Sequence, residues 1–204
     1  MAQDIDIYYT IEKIETAEIK IKGSKFLSVA AHTPTKEAAM EFLGLMRSQY
    51  FDATHNCFAY RIGWNGLDFR YSDDGEPNGT AGKPILFSLN KFELSDIIVV
   101  VTRYFGGVKL GVGPLARAYS DSAVEVLQKC VKVPVHRTKK VKINCLYDDI
   151  NIVKRTLSQY AISVEEEYTD SIQIFADIHL SKAQFFCDEI SRITNARVGA
   201  VVID

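Results

Sequence analysis

Residues Ile97-Ile98-Val99-Val100-Val101 form an unbroken run of β-branched aliphatic side chains. A strand that is apolar at every position needs cover on both faces. The segment 96–102 is therefore the expected centre of a sheet, and the rest of the chain has to supply the cover. The run is also the longest aliphatic stretch, far too short to span a bilayer. The first residues, Met-Ala-Gln-Asp-Ile-Asp, have neither the basic start nor the apolar core of a signal peptide, so the expected location is the cytoplasm, with no membrane partner.

The flanking segments read as the elements such a sheet requires. Residues 18–22 and 25–32 alternate apolar and polar side chains around Gly23-Ser24, a hairpin signal. Thr33-Pro34-Thr35-Lys36-Glu37 opens a helix to about Tyr50, with Ala38, Phe42, Leu45 and Met46 as its apolar stripe. Residues 53–62 and 67–71 read as strands joined by Gly63-Trp64-Asn65-Gly66. A second helix is expected from residue 80 to about 92, with Ile85, Leu86 and Leu89 inward, and a third from Pro114 through Cys130. This mixture predicts an α+β domain, a sheet with one layer of helices.

Helical periodicity breaks at residues 131–140, which places the expected boundary between domains 1–133 and 134–204. A chain of 204 residues has ample length for two cores. The second part reads strand 141–146, helix 148–159, strands 162–168 and 171–179 around a Thr169-Asp170 turn, helix 181–194 and strand 197–203. That βαββαβ order is the ferredoxin-like pattern. Glu165-Glu166-Glu167 and Lys139, Lys140 and Lys142 read as solvated strand positions.

Seven of the twelve glycines fall in two loops, 72–84 and 103–114, which also carry Asp73, Asp74, Glu76, Lys83, Arg103 and Lys109. Loops that need so many unusual backbone angles on a rigid scaffold are where binding sites are built. The common nucleotide motifs do not fit them. Gly111-Val-Gly113-Pro-Leu-Ala116 has the spacing of a dinucleotide fingerprint, but Pro114 removes a donor and no second βαβ unit follows. Gly79-Thr-Ala-Gly82-Lys83-Pro84 has proline where a P-loop needs the magnesium-binding hydroxyl.

No metal centre is expected. The cysteines at 57, 130, 145 and 187 are widely spaced and read as reduced thiols, and His55 with Cys57 makes only two ligands. A net charge of −2 argues against coating nucleic acid, and no DNA sequence specificity is expected, so RNA contact has to come from a local patch.

The two loops also carry a resemblance. The runs Ser72-Asp-Asp-Gly-Glu-Pro-Asn-Gly-Thr-Ala-Gly-Lys-Pro-Ile-Leu86 and Val99-Val-Val-Thr-Arg-Tyr-Phe-Gly-Gly-Val-Lys-Leu-Gly111, with Gly113-Pro-Leu-Ala-Arg-Ala-Tyr119, look like the IMPACT/YigZ family. Glu18 to Phe26 and Thr54 to Tyr60 match its other blocks. The resemblance implies an N-terminal domain with the fold of the C-terminal domain of ribosomal protein S-five, followed by the small ferredoxin-like domain of bacterial members. Elongation factor G arranges two such domains in the same order, a fold-level analogy to a ribosome-facing tail. Eukaryotic members carry a further N-terminal RWD domain that docks a translation-control scaffold, and that partner is not carried over.

Residues and resemblance together give an expected function: a non-enzymatic, translation-associated regulator that binds RNA or a ribosomal component without a cofactor. Phosphate would be held by Arg103, Lys109 and the helix entrance at Gly111 and Gly113, joined by Arg117, with Tyr104 stacking and Phe105 beside it offering a second surface, Lys83 adding charge and Gly106 and Gly107 shaping the loop. One alternative is a hydrolase acting on a small phosphorylated or peptide substrate through His55, Asp73, Asp74 and Glu76, though no nucleophile elbow is present. A protein-interaction module is the other. Asp74 or Glu76 pairing with Arg103 or Lys83 would instead make these charges a scaffold for the loops.

Overall fold

The computed structural model describes residues 5–169 and 171–203, so Asp170 of the expected Thr169-Asp170 turn lies outside the described residues. The chain divides into two compact units, Tyr8–Val135 and a second that joins the first seven residues to His136–Asp204.

The first unit begins and ends in a two-stranded ribbon, β1 (Ile7–Ile11) paired with β7 (Lys132–His136), each strand reaching one residue past the unit's bounds. The main sheet has the order β2-β3-β6-β4-β5, built from β2 (Glu15–Ile21), β3 (Ser24–His32), β4 (His55–Ile62), β5 (Asp68–Ser72) and β6 (Ile97–Tyr104). Every neighbouring pair in it is antiparallel. The aliphatic run lies at the centre, in β6, and is buried throughout.

Its alternate side chains enter two different cores. Ile97, Val99 and Val101 pack with α2 (Gly82–Phe92) and α3 (Val112–Lys129), while Ile98 and Val100 pack with α1 (Lys36–Gln49) on the opposite face. The expectation of a single helical layer is thus corrected. Helices cover both faces, as an antiparallel strand with no polar side requires.

Two smaller expectations shift by one residue. The hairpin turn is centred on Lys22 and Gly23, both with positive φ (46° and 83°), and Ser24 already belongs to β3. The buried stripe of α1 is Ala39, Leu43 and Met46, whereas Leu45 is 64% exposed. The helix start is as expected: the Thr35 side chain accepts from the Ala38 amide at 3.1 Å.

The second unit has one four-stranded sheet in the order β11-β8-β10-β9, from β8 (Thr138–Cys145), β9 (Ala161–Tyr168), β10 (Ile172–His179) and β11 (Gly199–Ile203). With α4 (Ile150–Tyr160) and α5 (Ala183–Ile193) between strands, this is the ferredoxin-like arrangement. Alternation in β10 buries Ile172, Ile174, Ala176 and Ile178 against Val153, Leu157, Phe186 and Ile190 of the helices. Asp6 is stitched into this unit. Its carbonyl accepts from the Arg137 amide at 2.8 Å, and its carboxylate accepts from the Ser181 amide at 2.9 Å. Burial tends to raise its pKa, but the Ser181 hydrogen bonds outweigh that and hold the carboxyl below its ordinary value. Glu165 to Glu167 and Lys140 are exposed, while Lys139 and Lys142 are half-buried.

The fold is therefore a two-domain α+β fold. Among the described residues, no helix is long and apolar enough to cross a membrane.

Candidate functional site

The two glycine-rich loops precede α2 and α3 and meet at the end of β6. There they enclose a cleft of about 410 Å³. Glu76 and Pro77 come from the first loop, and Arg103, Phe105 and Lys109 from the second, with Thr54 and His55 from the start of β4. Leu110, Val112 and Leu115 supply an apolar wall.

Glu76 holds the cleft together. Its side chain is only 4% exposed, and its Oε1 accepts from Arg103 Nη1 at 2.6 Å and from the Tyr119 hydroxyl at 2.7 Å. Such a pair survives burial because each charge compensates the other. Arg103 is further fixed by Ser24 Oγ at 3.3 Å, and its guanidinium lies 5.5 Å from the ring centres of both Phe26 and Phe105. Its Nε–H is buried without a partner among the described residues. Tyr119, on the inner face of α3, also takes up the Cys57 thiol at 3.4 Å. Burial pushes both the Tyr119 hydroxyl and the Cys57 thiol well above their ordinary ranges, so Cys57 is an inert thiol.

His55 sits beside this pair. Its Nδ1 lies 2.8 Å from the Asp74 carbonyl, which can only accept, so Nδ1 bears a hydrogen and Nε2 faces Glu76 Oε2 at 3.8 Å.

The other two acids of the first loop do structural work. Asp73 Oδ1 accepts from the Ala81 and Gly82 amides, both at 2.9 Å, and its Oδ2 accepts from Gly79 at 2.8 Å. It thereby caps α2 from a distance, since Ala81 has no capping side chain. Asp74 accepts from Arg47 and from the Asn56 amide, each at 2.7 Å. Neither carboxylate lines the cleft, and among the described residues no cluster of His, Cys, Asp and Glu has the make-up of a metal site.

On the basic side, Lys109 is exposed at the cleft. The α3 entrance has Gly111 at φ 83°, a position that favours glycine, and no side chain caps its first amides. Gly111 and Val112 line the cleft; Gly113 and Arg117 are exposed beyond it. Lys83 is exposed on α2 and does not reach it. Tyr104 also points elsewhere, donating to Asp52 at 2.9 Å with Lys25 Nζ 4.8 Å from its ring centre. The aromatic at the cleft is its neighbour Phe105, 48% exposed. Gly106 is a packing glycine: a Cβ there would lie 1.9 Å from the Gly23 carbonyl carbon. Gly107 has open space around it.

Sequence reasoning missed Tyr119 as a member of the site, because its helical spacing reads as core. A tyrosine rather than leucine at a fully buried position was the available signal, since its hydroxyl demands a partner. Thr54 and the apolar wall had no signal beyond proximity to the loops.

The Impact N-terminal domain family matches residues 22–127, which span both loops and the cleft. Over 93% of the chain, it is 34% identical to IMPACT family member YvyE of Bacillus subtilis, covering 88% of that protein. An IMPACT family member of Haemophilus influenzae is 32% identical over 89% of the chain and 89% of its own length. A crystal structure of a hypothetical protein superposes with a TM-score of 0.69 at 27% identity, covering 98% of each chain. With a family match over half its length and relatives aligned nearly end to end, the chain belongs to the IMPACT family.

Proposed function

We propose that this protein acts by binding an RNA of the translation apparatus, with the cleft between the two loops as the contact, and that it tunes translation in this way. The observation that carries the reading is the meeting of three unlike elements at one cleft: the exposed Lys109, the uncapped entrance of an 18-residue helix and the exposed ring of Phe105. A helix entrance offers unpaired N–H groups and the positive end of the dipole to a phosphate, and an aromatic face offers a base a surface to stack on. Glu76 neutralises Arg103, so the grip on phosphate belongs to Lys109 and the α3 amides, with Arg103 as the wall behind them. Family membership supports the translation setting, as the sequence resemblance implied. The hydrolase alternative has less support, because Asp73 and Asp74 are engaged in backbone caps and ion pairs.

Co-sedimentation with ribosomes and their subunits at low and moderate salt tests this, with and without nuclease. Lys109→Glu and Phe105→Ala are expected to weaken a salt-sensitive association while leaving the thermal melt unchanged. Association that neither substitution alters, or that resists nuclease, would exclude the cleft as an RNA contact.

A further inference from the structure

Within the cleft, Glu76 and His55 present a feature that phosphate binding leaves unused. Glu76 Oε1 already takes two donors, from Arg103 and Tyr119, while no hydrogen bond reaches Oε2 among the described residues. His55 donates its Nδ1–H to the Asp74 carbonyl, which in the neutral ring leaves Nε2 as an acceptor. In that form Nε2 and Glu76 Oε2 are two acceptors side by side at 3.8 Å, beyond hydrogen-bond distance of each other. A carboxylate oxygen and an imidazole nitrogen held side by side at a cleft are matched by a ligand that brings two adjacent donors.

The charge of the cleft narrows the class of donor. Lys109 and Arg103 against Glu76 leave an excess of positive charge, which disfavours an ammonium ligand and favours an anion with neutral donors. A vicinal diol fits, and carboxylates recognise ribose hydroxyls in this way in dinucleotide sites. Resting on the RNA-binding reading above, we infer that the cleft holds a single ribonucleotide with a free 2′,3′-diol: its hydroxyls on Glu76 Oε2 and His55 Nε2, its base against Phe105 and its phosphate toward Lys109 and α3. The volume of about 410 Å³ suits one nucleotide rather than a strand. The same diol is presented by the 3′ end of an RNA and by a free mononucleotide.

Calorimetric titration of the full chain with AMP, UMP, 2′-deoxy-AMP and inorganic phosphate tests the inference. AMP and UMP are expected to bind alike, and 2′-deoxy-AMP about 10- to 100-fold more weakly, the range for hydrogen bonds to charged groups. His55→Ala should shrink that ribose preference, whereas Lys109→Ala should weaken every probe, phosphate included, and leave the preference in place. Equal binding of AMP and 2′-deoxy-AMP, or a preference for AMP over UMP without one for ribose, overturns the diol assignment while phosphate binding survives. Failure of all four probes, phosphate included, overturns the phosphate reading as well. A short RNA with a free 3′ end, compared with the same RNA 3′-phosphorylated, separates the sources. Loss on phosphorylation assigns the RNA end, and equal binding beside an AMP preference assigns the free nucleotide; both support the diol.

Discussion

Glu76 decides the chemistry of the cleft because it is a turn acid that ends up almost fully buried. Its neighbours in sequence, Asp73 and Asp74, are spent on backbone amides, but Glu76 meets a cation and a hydroxyl from distant elements. Glu76→Ala would leave the Arg103 guanidinium buried without its counter-ion. The expected loss is about 3–5 kcal/mol of unfolding free energy, read from urea titration. That an acid of this loop pairs with Arg103 was one reading open from residue types alone. Which acid does so was not, because 27 residues separate the partners and only the folded register brings them together. The buried thiols and phenol give a second expectation. Burial pushes Cys130 up to about 11 from an ordinary 9.0, and raises Cys57 and Tyr119 as well. The folded state keeps these groups neutral while the unfolded chain ionises first, so their contribution is complete below about pH 9 and falls as pH rises. Urea midpoints should drop between about pH 8 and pH 10.5, and Cys130→Ser should make the drop shallower.

Among the elements, α1 shows how much pattern alone can say. Its apolar residues at 38, 39, 40, 42, 43, 45 and 46 allow two adjacent stripes with the same helical spacing. The sheet selects the stripe through Ala39, Leu43 and Met46, which meet Ile98 and Val100 of β6. Leu43→Ala is therefore expected to cost about 2–5 kcal/mol, and Leu45→Ala, on the solvent side, less than about 0.5 kcal/mol. A result with the two values exchanged would place the expected stripe against the sheet after all. The existence and order of most elements were legible, since caps, turns and periodicity are local signals, but the β1–β7 ribbon was not: residues 7–11 drew no reading, and 131–140 read only as a break in helical periodicity. The second helical layer was less legible, although the all-apolar β6 already required cover on both faces.

For the whole molecule, the second unit is discontinuous in sequence. Residues 5–7 join it through Asp6, which ties the amides of Arg137 and Ser181. No local pattern in the first seven residues announces such a distant attachment. Asp6→Ala is expected to speed native-state hydrogen exchange at the Ser181 amide while leaving exchange in β6 unchanged. The first unit carries the cleft, and there the rigidity of its walls has a consequence for time rather than affinity. Asp73 locks the start of α2, Glu76 locks Arg103 and Tyr119, and Gly106 seats its loop on the β2–β3 turn, all through contacts made within the protein itself. A site completed beforehand has nothing to rearrange when its ligand arrives. Capture should then follow a single exponential whose rate rises in proportion to ligand concentration, and stopped-flow mixing should reveal no slower phase that saturates.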